Sequence, residues 1–522
     1  MSNHLVADEH EETGRKWFAG DAKKSARGFI RAIEAYDTGL AKYQANFDLA
    51  YNKAVLQLYI AQRSRLLPHL PVSHLDYLQS TVEACKYAQR LEPEDKDALF
   101  NTGQALSICA EALEENDDPT EAIKHLINAI EYYTKCLQLQ AEELASMPAA
   151  DVDVEDGDEK EEDRDGDIEM ETNQDHEQGD NVAEGRTLRS GSPRFATVIY
   201  PTTEDDKLDT AVAELEAIMQ LLSLFTEHTM RLIPYQDVIR IGDEISQGMP
   251  ISHSTTDDRQ PYEIALVVAN YKAEKGRVFH LTGILDIENY SINLEAAFEV
   301  ESGLDLGPFS RNSKEMGVGS NARGDPSCLH AYSVALTKLA NTARVHEPSP
   351  SKNDIRWHAL TRAHDILALA TTLENSASPP PAERLAALYE ERASIELRRS
   401  NVVPQKMWMD GQTRLTLVKN AAVYYRGARR WAEQVRNALR LQNAQLTQNT
   451  EWLYEHVDLP IMESVAEFLA GQKEKIGVLR LQPMVTTRGD AMVVKMREVV
   501  QEMVDEGMVE GPVVQDLVRI LS

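Results

Sequence analysis

The sequence TGRKWFAGDAKKSARGFIRAIEAYDTGLAKYQAN occupies residues 13–46 and sets a 34-residue spacing that returns further along the chain. In this frame Gly20, at position 8, and Ala32, at position 20, are small, whereas Tyr36, at position 24, is large. A second frame that begins at Phe47 again has a small residue at position 8. The pattern predicts paired helices that touch at small residues and pack on the next pair through large ones.

This spacing resembles that of tetratricopeptide repeats. A frame counted from Lys96 places Leu99, Asn101 and Gly103 at positions 4, 6 and 8. Pro93 falls at position 32 of the preceding frame, and it stops a helix where the family stops one. The resemblance implies an all-α, TPR-like α-solenoid, because a helix pair of this kind cannot bury its own face and must stack. A generic helical bundle in which the spacings arise by chance is the alternative.

The frame and the composition together divide the chain into four parts. We expect N-terminal repeats in residues 1–150, an acidic loop with a basic collar in residues 151–195, further helix pairs in residues 196–450 and a helical cap in residues 451–522. A flexible loop is predicted near residues 303–325. Beyond residue 200, apolar periodicity predicts helices at 205–230, 261–276, 290–300, 328–343, 362–371, 382–399 and 414–441. Residues 276–290 also fit a strand, but one short segment does not make a sheet.

Charge is distributed very unevenly. Residues 151–184 contain 17 acidic residues against Lys160 and Arg164, so this tract carries 15 of the chain's 31 excess negative charges. Such a tract cannot bury enough apolar surface to fold, and its charges repel, so we predict a disordered loop that attracts a basic protein. The candidate partner-binding residues in it are Asp151, Asp153, Glu155, Asp156, Asp158, Glu159, Glu161, Glu162 and Asp163.

The sequence offers no sign of a membrane span, a metal site or a cofactor site. Apolar runs are too short to cross a bilayer, and we expect a soluble intracellular protein without a signal peptide. The four cysteines are Cys85, Cys109, Cys136 and Cys328, which are dispersed and are expected to be reduced thiols of the core. The oligomeric state is not encoded in any pattern that we recognise.

Catalysis is not indicated by any motif. Residues 317–322, GVGSNA, fit the dinucleotide pattern G-x-G-x-x-A, but the residues before them are polar and irregular, whereas the pattern requires a strand there. No histidine arrangement typical of a zinc enzyme, no nucleophile elbow and no phosphate-binding loop is present. We therefore expect a protein that is not an enzyme and that needs no cofactor.

Some tetratricopeptide proteins hold the acidic tails of heat-shock chaperones with Lys, Asn and Arg side chains at positions 2 and 6 of three units. The matching positions here are Gly14, Phe18, Asn52, Asp97 and Asn101, and only Asn52 agrees with the family. Without the cations there is little to neutralise carboxylates, which argues against a chaperone-tail adaptor. Asn52 and Asn101 remain candidate partner contacts.

A basic segment lies near the other end of the chain. Residues 406–440 contain eight basic residues against Asp410 and Glu433, and Arg426, Arg429 and Arg430 are candidate partner-binding residues in it. Three readings are open: a solvated helix face, a docking site for the chain's own acidic loop, and a patch for RNA or an acidic partner. Direct binding of nucleic acid is otherwise disfavoured by the sign of the net charge.

These patterns predict a protein that acts by binding other proteins. Repeat pairs broken by a long acidic tract are similar in layout to the histone chaperones related to nuclear autoantigenic sperm protein, and more loosely to escorts of basic ribosomal proteins. The resemblance covers architecture only, and implies a chaperone or assembly factor for a basic client. The alternative is a scaffold subunit of a larger complex, in which the acidic loop is a solvated spacer. Nucleus and cytoplasm fit either function.

Overall fold

The computed structural model describes most of the chain outside a few long segments. The residues described are 2–116, 118–146, 202–226, 229, 235–249, 261–298, 325–345, 350–403, 412–442, 462, 465–466, 499–501, 503–504 and 508. The predicted acidic loop at 151–184, nearly all of the loop at 303–325 with its G-x-G-x-x-A sequence, and most of the predicted cap at 451–522 lie outside them.

Every regular element of the described residues is helical, apart from short turns. The α-helices, in chain order, are α1 Ser2–Phe18, α2 Ala22–Lys42, α3 Phe47–Ala61, α4 His74–Leu91, α5 Lys96–Glu115, α6 Pro119–Ser146, α7 Glu204–Ser223, α8 Tyr235–Gly248, α9 Pro261–Leu281, α10 Ile287–Ala296, α11 Pro326–Val345, α12 Pro350–Ser376, α13 Ala382–Ser400 and α14 Gln412–Gln442. A 3-10 turn at Leu67–His69 lies between α3 and α4.

The helices pack as consecutive pairs that stack along the chain. Each odd-numbered helix packs on the even-numbered helix that follows it, from α1 with α2 to α13 with α14. The odd-numbered helices also meet one another, α3 with α5, α5 with α7, α7 with α9 and α9 with α11. From α3 to α11 they therefore form one continuous layer, which we call the odd-helix face. This architecture confirms the predicted all-α solenoid.

Side-chain caps explain where several of these helices begin. Asp21, Asn46, Ser73 and Asp95 each accept a hydrogen bond from the backbone N–H three residues later, at distances of 2.7–3.1 Å. Such a cap satisfies one of the N–H groups that a helix start leaves without an intrahelical partner. The cap at Asp95 starts α5 at Lys96, the residue at which the third sequence frame begins.

Glycines allow the close packing of the paired helices. A side chain at these positions would collide with an aromatic ring of the neighbouring helix, at 2.5–2.9 Å from the added Cβ. The pairs are Gly14 with Phe29, Gly103 with Tyr133, Gly242 with Tyr271, Gly276 with Tyr290, and Gly427 with Tyr389. Among these glycines, Gly103 stands at the small position 8 of the sequence frame, and it lies at a helix contact as that frame predicts.

The close contact of Gly28 with backbone atoms of the neighbouring helix yields a stability prediction. A Cβ on Gly28 would lie 2.7 Å from the Gly14 nitrogen and 2.8 Å from its Cα, and backbone atoms cannot step aside. Overpacking costs about 3 kcal/mol here, whereas alanine returns about 1 kcal/mol of helix propensity, so Gly28→Ala should destabilise the α1–α2 pair by about 2 kcal/mol. Native-state hydrogen exchange of this pair, which can open separately from the rest of the stack, measures the loss.

Gly20→Ala is the matched control for that experiment. Its Cβ would meet no atom within 4 Å, so exchange should stay close to that of the unmodified protein. Equal exchange in the two variants would show that the α1–α2 contact tolerates a methyl group.

Several details of the sequence prediction were wrong. Gly20, placed at a helix contact by the first frame, lies in the turn between α1 and α2, because Asp21 caps α2 one residue later. Gly14 makes the close contact with α2 in its place. The helix predicted at 205–230 ends at Ser223. The short amphipathic α8 was missed, and residues 276–281 continue α9, so the strand reading of that segment is excluded.

Later elements agree better with the sequence. The helices predicted at 382–399 and 414–441 correspond to α13 and α14, which pack on each other, and Ala421, Tyr425 and Ala428 of α14 are buried. Val499, Val500 and Met503 are buried in the same core cluster as α14. All four cysteines are buried free thiols, as predicted. No described helix combines the length and the apolar character needed to cross a bilayer.

Candidate functional site

The two asparagines singled out by the sequence lie on neighbouring helices of the odd-helix face. Asn52 belongs to α3 and Asn101 to α5, and both side chains are half-buried. The Asn101 Nδ2 donates to the Tyr51 hydroxyl at 3.3 Å, and the Tyr51 ring packs on Phe47 with 5.5 Å between ring centroids. This cluster ties α3 to α5 and leaves part of each amide accessible to a partner.

Negative charge accumulates on α5 and on the following helix of the same face, α7. Together α5 and α7 carry ten acidic side chains against two lysines, Lys96 and Lys207. Four exposed carboxylates, Glu111, Glu114 and Glu115 on α5 and Glu216 on α7, form what we call the acidic patch. Within the described residues none of these four makes an ion pair.

The acidic patch is electrostatically strained. The pKa of Glu111 is raised, first because surrounding protein displaces part of its hydration and then by the charges of Glu115 and Glu114. The pKa of Glu216 is raised in the same way, by lost hydration and then by Glu111 across the α5–α7 contact. Both carboxylates still reach solvent. Because like charges repel, a cation from a partner would relieve this strain.

The insertion that contains the predicted acidic loop leaves the stack after α6 and returns before α7, and the described residues at its two ends contact each other at the start of α5, the opposite end of that helix from the acidic patch. Glu143, near the end of α6, accepts a hydrogen bond from the Thr202 hydroxyl at 2.7 Å. The Lys96 ammonium at the start of α5 contacts both of these side chains. The predicted binding residues at 151–163 lie outside the described residues, but the chain leaves and re-enters the stack at this three-residue junction.

The basic segment predicted at 406–440 lies on α14. Arg426 and Arg430 are exposed, and Arg429 is half-buried with its guanidinium 3.7 Å from Glu433. Trp431 packs against the C-terminal core cluster. The arginines therefore share a solvent-accessible helix surface, far along the chain from the acidic patch.

Sequence reasoning missed the acidic patch. The sequence shows a local excess of negative charge at Glu111, Glu114 and Glu115. Their proximity to Glu216 cannot be read from it, because it depends on how α5 packs on α7. Glu214, which lies two residues before Glu216 on α7, was missed for the same reason. It is buried, and it accepts a hydrogen bond from Thr134 of α6.

Comparisons with known proteins add little to this description. No family profile and no curated protein sequence matches the chain. A solved structure described as a circular tandem repeat protein with novel repeat topology and enhanced subunit contact surfaces aligns with 97% of this chain and 98% of its own, at 13% identity and a TM-score of 0.28. A likeness at this level says nothing about what the chain binds.

Proposed function

We propose that the protein is a divergent TPR-like interaction protein that binds a basic polypeptide, of histone or ribosomal protein type, as a chaperone or assembly factor. The observation that carries the proposal is the acidic patch, in which lost hydration and then neighbouring carboxylates raise the pKa values of Glu111 and Glu216, and whose four carboxylates make no ion pair within the described residues. A basic client would supply a cation. The predicted acidic loop at 151–184 would screen the rest of the client's charge.

Other features support a binding role over a catalytic one. The helices from α3 to α11 form a continuous layer, and the half-buried amides of Asn52 and Asn101 lie in the same layer as the acidic patch, where a peptide could contact them. Gly103 of α5 lies at a close helix contact, and Ala421, Tyr425 and Ala428 of α14 are buried. Small and large residues at such positions are typical of tetratricopeptide repeats, and they support the proposed relationship to that family. Either the nucleus or the cytoplasm would contain suitable clients.

Removal of the patch charges tests the proposal. In the variant with Glu111, Glu114, Glu115 and Glu216 all changed to Gln, we expect affinity for purified core histones or free ribosomal proteins to fall about tenfold in roughly 0.15 M salt. The loss should shrink as salt is added, because it arises from charge. Isothermal titration calorimetry or fluorescence anisotropy measures both effects.

The matched control removes the same number of charges from the other face. Glu34, Glu83, Glu131 and Glu288 are exposed on the even-numbered helices, and their change to Gln should alter affinity less than twofold. Equal losses of affinity in the two variants would show that binding depends on the net charge of the protein and not on the acidic patch.

A third variant, with residues 151–184 replaced by a Gly/Ser linker, tests the predicted acidic loop separately. Binding that is indifferent to all three changes would favour the scaffold function.

A further inference from the structure

A cavity of about 330 Å³ lies near the C-terminal end of the described helices. It lies between α11 and α13, and it is completed by three methionines from segments that follow α14, Met462, Met503 and Met508. Pockets that bind small ligands begin at about 300 Å³. The space is therefore large enough for one bulky side chain together with the peptide groups beside it.

The cavity is lined by four apolar residues and seven polar or charged ones, but the larger part of its exposed surface is apolar. Val334 and the three methionines supply apolar surface, and methionine adapts its shape to different occupants. Thr337 of α11 also lines the cavity and is only 7% exposed. Its hydroxyl meets no hydrogen-bond partner within the described part of the chain. A buried hydroxyl left without a partner is unfavourable, so the cavity suits an occupant that brings one.

The charges around the cavity are compensated. Lys338 is held by Glu274 at 2.5 Å, and Glu391 is held by His330 at 2.7 Å. Arg398 and Glu390 are opposite in sign, and so the lining carries two cations and two carboxylates. A charged ligand would gain no unmatched counter-charge here, while it would lose part of its hydration on entering a space whose exposed surface is mostly apolar.

We propose that this cavity binds a large uncharged side chain, Met, Leu or Phe, of a partner polypeptide, with an adjacent peptide group hydrogen-bonded to the Thr337 hydroxyl. The inference rests on the proposed function, since it assumes a polypeptide client. It adds a second contact of different chemistry, because the acidic patch attracts by charge and the cavity selects by shape and apolarity.

Methyl NMR of the full chain, labelled with ¹³C at the methionine methyl groups, tests the site. The probes are acetylated, amidated pentapeptides Ser-Gly-X-Gly-Ser, with Leu, Met, Phe or Asp at X. We expect the signals of Met462, Met503 and Met508 to shift saturably with the three apolar peptides, while the Asp peptide leaves them unchanged. Met219 of α7 should not shift. Single Met→Leu variants assign the signals.

Two variants and one control sharpen the result. Thr337→Val keeps the shape and removes the hydroxyl, so the apolar peptides should bind about fivefold more weakly, the effect of one hydrogen bond. Val334→Trp fills the cavity and should abolish the shifts. Thr372→Val removes an exposed hydroxyl from α12 and should change nothing.

The possible outcomes separate the two proposals. Absence of saturable shifts at the three methionines, equal shifts with the Asp peptide, or equal shifts at all 15 methionines would overturn the cavity proposal. If these shifts are missing while basic proteins still bind through the acidic patch, only the cavity proposal fails. If the shifts are present and the patch variants bind basic proteins normally, the charge-based function fails and the apolar site stands.

Discussion

Glu274→Gln should destabilise the middle of the stack by about 3 kcal/mol, because it leaves a largely buried guanidinium without its carboxylate. Glu274 of α9 is 2.7 Å from Arg277 on the same helix and 2.5 Å from Lys338 on α11. Arg277 in turn donates to the carbonyls of Phe225 and Leu222 at the end of α7. One carboxylate thus organises contacts among three odd-numbered helices.

The pKa of Glu274 supports this role. Burial by itself would raise the pKa, but Arg277 and Lys338 outweigh it and hold the pKa below its usual value. The ion-pair stabilisation is accordingly present at neutral pH and is lost as the pH falls through the lowered pKa.

Urea unfolding at pH 7, followed by circular dichroism and by hydrogen exchange in α9 and α11, measures the loss. Glu131→Gln, an exposed change on α6, is the control and should stay within about 0.5 kcal/mol of the unmodified protein. If the two variants have the same stability, then the cluster around Glu274 does not hold these helices together.

Glu214→Gln should have the opposite effect at alkaline pH and stabilise the protein by about 3 kcal/mol at pH 8. Glu214 is 1% exposed, and burial raises its pKa to about 7, with the Thr134 hydroxyl acting in the lowering direction. Folding therefore favours the protonated carboxyl. The stability that the protonated carboxyl contributes to the fold is fully present below about pH 4.5, the ordinary pKa of a glutamate, and is lost as the pH rises through 7.

A pH series of unfolding curves measures this dependence. Glutamine resembles the protonated acid and does not titrate, so the advantage of the variant should be small at pH 5 and should grow to its full size by pH 8. Glu131→Gln, measured in parallel, should run parallel to the unmodified protein. A difference between Glu214→Gln and the unmodified protein that is independent of pH would mean that Glu214 does not titrate in this range.

The helix pairs were predictable from sequence because their signals are local. Caps such as Asp95, the stop at Pro93 and the small residue at Gly103 act within a few residues of the helix ends and contacts that they specify. The register of the first pair was not predictable from the 34-residue frame, since Gly14 and Gly20 are both small and only the cap at Asp21 distinguishes the helix from the turn.

The candidate sites were less predictable, because they are assembled across helices. Asn52 and Asn101 were found from a repeat position, but the contact of Asn101 with Tyr51 requires the packing of α5 on α3. The acidic patch depends on α5 meeting α7 across an insertion of more than fifty residues. The cavity beside Thr337 needs methionines more than a hundred residues away in the chain.

The junction of Lys96, Glu143 and Thr202 has a consequence for the inserted segment. Because the stack is closed at the base of the insertion, the inserted segment can be lengthened, shortened or exchanged at a cost that grows only with the logarithm of its length. Changes in the length or composition of the inserted segment should therefore leave the packing of the helices on either side of it intact.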